Sequence, residues 1–122
     1  MKNAINWFAI PSSDFQRAVK FYNEIFGFEL NVSKMGDADL AFFPCEQGGV
    51  GDHIYISRNP VTSENGPILY LNGGDDLQIV LDKVESAGGK ISQPKVQVSP
   101  DVGFVAMFED TEGNRVALHS VN

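Results

Sequence analysis

One cysteine in 122 residues, Cys45, rules out an internal disulfide and leaves nothing from which a cysteine-rich zinc site could be built. Flanked by Pro44 and Glu46, with no adjacent base, it reads as an inert thiol and not an activated nucleophile. Imidazoles are nearly as scarce, at two: His53 and His119. Positive charge is short as well. Nine Lys and Arg stand against sixteen Asp and Glu, a net charge of −7 spread along the chain, which argues against a nucleic-acid or anionic-membrane partner. No stretch approaches the roughly 18 apolar residues of a membrane span. Met1-Lys2-Asn3 leads directly into a predicted strand and not a signal peptide, so the expected compartment is the cytoplasm. The run Gly48-Gly49-Val50-Gly51 lacks the strand, lysine and helix of a phosphate loop and reads as a turn.

The apolar fraction, 43%, is ordinary for a soluble globular chain, and the length suits one domain with a real core. Within it the stretch Ser13 to Leu30 is repeated, in physical terms, by Asp75 to Ser92, an offset of 62. Ser13 with Gln16, and Asp75 with Gln78, have the spacing of a helix-opening capping box. Apolar stripes at helical period follow on matching registers: Phe15, Ala18, Val19, Tyr22 and then Leu77, Val80, Leu81, Val84. Gly27 closes the first helix and Gly88-Gly89 the second. A repeat of half the chain is too long for a solenoid unit and indicates a duplicated module.

Taken in order, the first half predicts a strand at 5–10 ended by Pro11, a helix at 14–26, and strands at 28–32, 40–43 and 50–58. Residues 59–66, rich in turn formers, form the predicted linker. The order then returns as a strand at 68–72, a helix at 76–87, strands at 90–92, 103–108 and 115–121, with a turn at 110–114 before the last. The fold class is therefore α+β. Two tandem βαβββ modules, residues 1–60 and 64–122, share a single domain. The long proline-bearing loop 93–102 has no counterpart in the first half, and loops of that length in compact domains are often functional.

Three phrases carry a family resemblance: Ile10-Pro11-Ser12-Ser13-Asp14 leading to Phe21-Tyr22 and Phe26-Gly27-Phe28; Val84-Glu85-Ser86-Ala87-Gly88-Gly89-Lys90; and Phe108-Glu109-Asp110-Thr111-Glu112-Gly113-Asn114-Arg115. With the doubled βαβββ order they resemble the vicinal oxygen chelate superfamily of glyoxalase I, bleomycin-resistance proteins and extradiol dioxygenases, over essentially the whole chain. The resemblance implies curved, mixed sheets bearing a cleft, with the helices outside. It also implies that metal-dependent members carry four His, Glu or Gln ligands on the concave face, one on the first and one on the last strand of each module. The matching positions here are Trp7, Tyr55, Leu69 and Ala117. None of these is an adequate donor to a divalent ion. Neither is the set one residue earlier, Asn6, Ile54, Ile68 and Val116, so no metal site and no cofactor are expected.

Strand alternation puts His53, Tyr55 and Ser57 on one face, and Arg115, Ala117 and His119 on the matching face, with Ile54, Ile56, Val116 and Leu118 toward the helices. The two histidines are candidate acid–base or anion-binding groups, or else solvated strand-end residues. Trp7, Phe42, Tyr55 and Phe104 are candidate aromatic walls of a ligand cleft, or else core; Phe42 and Phe104 stand 62 apart, so packing symmetry alone would account for them. Arg115 is a candidate cation for a ligand carboxylate, or else a partner of Glu112 or Asp110. Three functions follow. The first is a metal-independent binding protein for an unidentified small molecule, with an apolar, aromatic cleft. The second is a lyase or isomerase working through His53 and His119 or through an unrecognised metal site, and the third a purely structural dimer. The open edges of two small sheets, and the habit of the superfamily, imply a homodimer.

Overall fold

The computed structural model describes residues 3–59 and 66–122, so Met1, Lys2 and most of the predicted linker lie outside the described residues. Strand β1 (Trp7–Ser12) is followed by helix α1 (Phe15–Phe26) and strands β2 (Asn31–Met35), β3 (Ala38–Phe42) and β4 (Gly51–Ile56). The second half repeats the order with β5 (Leu69–Asn72), α2 (Leu77–Leu81), β6 (Lys90–Ser99), β7 (Gly103–Glu109) and β8 (Arg115–Ser120). Each half makes one four-stranded mixed sheet, ordered β1-β4-β3-β2 in the first and β5-β8-β7-β6 in the second. In both, the first strand runs parallel to the last and every other pair is antiparallel. This is the α+β architecture of two βαβββ modules.

The helices start where a side chain relieves their free amide donors, one residue later than the predicted boxes. Asp14 caps α1 by accepting from Arg17 N–H, and Asp76 caps α2 by accepting from Gln78 N–H. These caps keep the 62-residue spacing. The buried stripe of α1 is Ala18, Phe21, Tyr22 and Ile25, a turn further along than Phe15 and Val19, which are only half-buried. Gly27, at φ 71°, closes the helix by donating to the Asn23 carbonyl. Helix α2 is shorter than its pattern suggests. Beyond Asp82, Lys83 and Val84 donate to carbonyls only three residues back, so the chain tightens into successive turns up to Gly88. Its predicted stripe, Leu77, Val80, Leu81 and Val84, is nonetheless buried.

Two proline assignments change. Pro11 lies within β1 instead of ending it, which costs no ladder bond because β1 is an edge strand. Pro94 sits inside β6, also an edge, where register shifts between Ile91 and Gln93 and between Gln93 and Val96 absorb its missing donor. The predicted functional loop 93–102 is thus mostly strand and ends in the turn between β6 and β7. One apolar core joins both halves. Ile10, Ala41 and Ile54 of the first sheet, Leu71, Ala106, Phe108, Val116 and Leu118 of the second, and the buried stripes of both helices form a single cluster. Each sheet therefore has one face turned to the helices and one left open. Among the described residues no helix is long and apolar enough to cross a membrane.

Candidate functional site

The turn between β7 and β8, which holds the most distinctive phrase of the sequence, is a structural joint. The Asp110 carboxylate, buried, accepts from the backbone N–H groups of Glu112 and Asn114 and from the side chains of Asn114 and Tyr22. Burial raises its pKa against the pull of those donors. Burial, then the nearby Asp110 charge, pushes the Tyr22 hydroxyl well above its ordinary value, so it stays a donor. Glu112 reaches across to the start of α1. Its carboxylate accepts from the backbone N–H of Ser13 and Asp14, the Ser13 and Thr111 hydroxyls, and the Arg17 guanidinium at 2.7 Å. Burial alone would raise its pKa, but those donors, Arg17 foremost, hold it down at about 2. Asn114 completes the joint by donating to the Pro11 carbonyl at 2.9 Å. Local sequence signals give no hint that Glu112 serves a helix 98 residues earlier.

The open face of the first sheet holds three of the predicted ligand residues, Trp7, Phe42 and Tyr55, together with His53. Ile10, Ala41 and Ile54 point to the core, so their strand neighbours point away from it. One row of that open face runs across all four strands as Ala9, His53, Phe42 and Asn31, in register. Beside it, Tyr55 pairs with Pro11 and Trp7 with Gly51. The His53 ring lies 5.6 Å from the Phe42 ring and 6.3 Å from that of Tyr55, centroid to centroid. Its Nδ1 is in contact with the Asp52 carboxylate. Trp7 is 66% exposed. Ile56, expected to face the helices, is half exposed at the end of β4.

The second sheet is poorer. Its open face carries Tyr70, Ala117 and Met107 in one row and Asn72, His119 and Val105 in the next. His119 Nε2 lies 2.6 Å from the Val102 carbonyl, and since a carbonyl only accepts, that nitrogen carries the proton and tethers the β6–β7 turn. Two expectations are corrected here. Phe104 pairs with buried Ser120 and packs on the core side, under the Lys95 ammonium at 4.5 Å. Leu69 pairs with Val116 and likewise packs on the core. The reason is parity. The helix caps are 62 apart, but the core pair Ala41 and Ala106 stands 65 apart and the pair Ile54 and Leu118 stands 64 apart, at the positions just named. An odd slip reverses the face, which separates Phe104 from Phe42; an even one moves the counterpart of Ala117 from Tyr55 to His53.

His53 and His119 sit on separate sheets with no strand pairing between them. Trp7 and Arg115 do come together. With Ala9, Pro11, Pro67 and Leu69 they line a cavity of about 510 Å³ along the free edge of β1. Of the metal-ligand positions, now Trp7, His53, Ala117 and the residue preceding Leu69, only His53 offers a donor. Among the described residues no three His, Cys, Asp or Glu side chains converge. The donor set does not fit a divalent ion.

Comparison with known proteins agrees with this architecture. The family model described as Glyoxalase/Bleomycin resistance protein/Dioxygenase superfamily matches residues 4–118. A glyoxylase-like domain-containing protein of Didymella fabae is 29% identical over 117 residues, spanning 93% of this chain and 91% of that protein. A glyoxalase/bleomycin resistance protein from Albidiferax ferrireducens T118 superposes with a TM-score of 0.75 at 17% identity, covering 95% of this chain and 97% of that one. TnmS3, an antibiotic binding protein from Streptomyces sp. CB03234, superposes with a TM-score of 0.64 at 22% identity, covering 97% and 95%. At such identities the structural likenesses establish the fold alone.

Proposed function

The chain belongs to the glyoxalase/bleomycin resistance protein/dioxygenase superfamily, and on that premise we propose that it is a metal-independent small-molecule binding protein. The observation that carries this reading is the open face of the first sheet. There Phe42 and Tyr55 flank the His53 imidazole, and Trp7 stands on the same face across from Gly51, where Ala9 and Gly51 carry no bulky side chain. A cleft built this way suits a planar, largely apolar ligand. The antibiotic binding function named for TnmS3 is of the same kind. The poor donor set supports a role without metal, and the single exposed thiol suits a reducing, cytoplasmic setting.

A second copy of the chain is part of this proposal. Both open sheet faces carry exposed apolar groups, with Trp7 on the first and Tyr70, 56% exposed, on the second. Apposing such faces from two chains would cover them and deepen the cleft. The lyase or isomerase alternative draws less support, since His119 is tied to Val102 and stands on a different sheet from His53.

The test is direct. Aromatic compounds that raise the melting temperature should also shift Trp7 emission, and sedimentation at micromolar concentration should give a dimer. Stoichiometric Ni, Zn, Fe or Mn in the purified protein, or stabilising ligands that leave Trp7 emission unmoved, would refute the reading.

A further inference from the structure

On the reading that the chain binds a small molecule, we infer that the cavity along the free edge of β1 takes an aromatic monocarboxylate, with its ring on Trp7 and its carboxylate held by Arg115. The cavity measures about 510 Å³, a size typical of small-molecule sites, and residues of both modules line it. Strand β1 supplies the long wall from Trp7 to Pro11, and Pro67, Leu69 and the start of β8 close the other side. Most of that lining is apolar. Trp7, the single tryptophan of the chain, is 66% exposed there, a large ring with much of its surface still to be covered.

Two features select an anion. Among the described residues Arg115 carries the only charged side chain that lines the cavity, and no Asp or Glu joins it there. Glu109, directly across from it on β7, is exposed and stands outside the lining. The side-chain amide of Asn114, also in the lining, already donates to the Pro11 carbonyl and to Asp110. The second feature is the strand edge. The Ser12 carbonyl accepts from Ser57 N–H on the β4 side, whereas the Pro11 carbonyl faces Asn114 on the other. Alternate residues of a strand turn their backbone groups to opposite edges, so Trp7 and Ala9 share the edge of Pro11 and present N–H donors along the cavity. A planar guanidinium matches a carboxylate through two parallel hydrogen bonds. One cation balances one negative charge, which favours a monocarboxylate over a phosphate dianion.

Two probes of the same shape and different charge, 2-naphthoate and 2-naphthamide, test this with the intact protein. Calorimetry should show naphthoate binding the more tightly, and each probe should shift the single indole N–H resonance, that of Trp7, in NMR spectra. Arg115→Met should weaken naphthoate by about tenfold or more, the scale of a lost hydrogen bond to a charged group, and leave naphthamide unchanged, while Arg115→Lys should recover part of the loss. Ala9→Leu, at an exposed position of β1, should weaken both probes by filling the cavity. Arg115→Lys and Ala9→Leu carry the test where Arg115→Met does not fold. Equal affinity of wild type for the two probes, or naphthoate binding untouched by the Arg115 variants, overturns the role of Arg115, while naphthamide binding that moves Trp7 upholds the small-molecule reading. If neither probe binds wild type, or Ala9→Leu leaves both unaffected, the edge cavity is not the seat and the inference fails, whereas the small-molecule reading falls only if other aromatic compounds also fail to bind.

Discussion

Tyr22 donates its hydroxyl to Asp110 across 88 positions of sequence, at 2.7 Å, with both side chains buried. This bond ties the middle of α1 to the β7–β8 turn, and Glu112 ties the first turn of the same helix to the same place. The two modules are thus coupled through polar contacts as well as a shared core. The open sheet faces take no part in that joint.

Replacing Tyr22 by Phe should keep the packing and remove one donor from Asp110, leaving a buried carboxylate less satisfied. A loss of about 1–3 kcal/mol in urea-induced unfolding is expected. A neutral outcome would mean that Asn114 and the two backbone donors already satisfy Asp110.

Glu112→Gln should destabilise the fold at neutral pH by about 1–3 kcal/mol, because a neutral amide is a poorer acceptor for Arg17 and two backbone donors. The sign of its pH dependence follows from linkage. Glu112 is held at about 2 in the fold against an ordinary 4.5, so its contribution is full above 4.5 and is lost as pH falls toward 2. Melting curves of wild type and variant should therefore converge across that window, and a constant gap would contradict the assignment.

Leu69 and Tyr70 test which face is which. Leu69→Ala removes a side chain packed on the core and should cost about 1–3 kcal/mol, whereas Tyr70→Ala on the open face should stay within about 0.5 kcal/mol in a dilute sample. The reverse order, measured by thermal or chemical denaturation, would place β5 one residue out of register.

Gly103→Ala should be among the most damaging single-methyl changes. At φ 99° an added Cβ would stand 2.4 Å from the Ser120 carbonyl oxygen, so both backbone strain and a clash oppose it. A loss of more than about 2 kcal/mol is expected, with faster amide exchange through the β6–β7 turn and in the strand bearing His119.

What the sequence determined by itself is local or periodic. Two helices opening 62 residues apart at Asp14 and Asp76, the doubled strand order, and the outward facing of His53 and Tyr55 all follow from spacing within a few residues. Only the tertiary structure decided relations that depend on chain count between elements. The slip from 62 to 65 turned Phe104 into the core, and the slip to 64 made His53, not Tyr55, the counterpart of Ala117. The partners of Glu112, and the tether of His119 to Val102, required distant strands to be brought together first. A one-residue difference in loop length is nearly silent in composition and pattern, yet with a side-chain period of two it reverses which face of a strand meets the core.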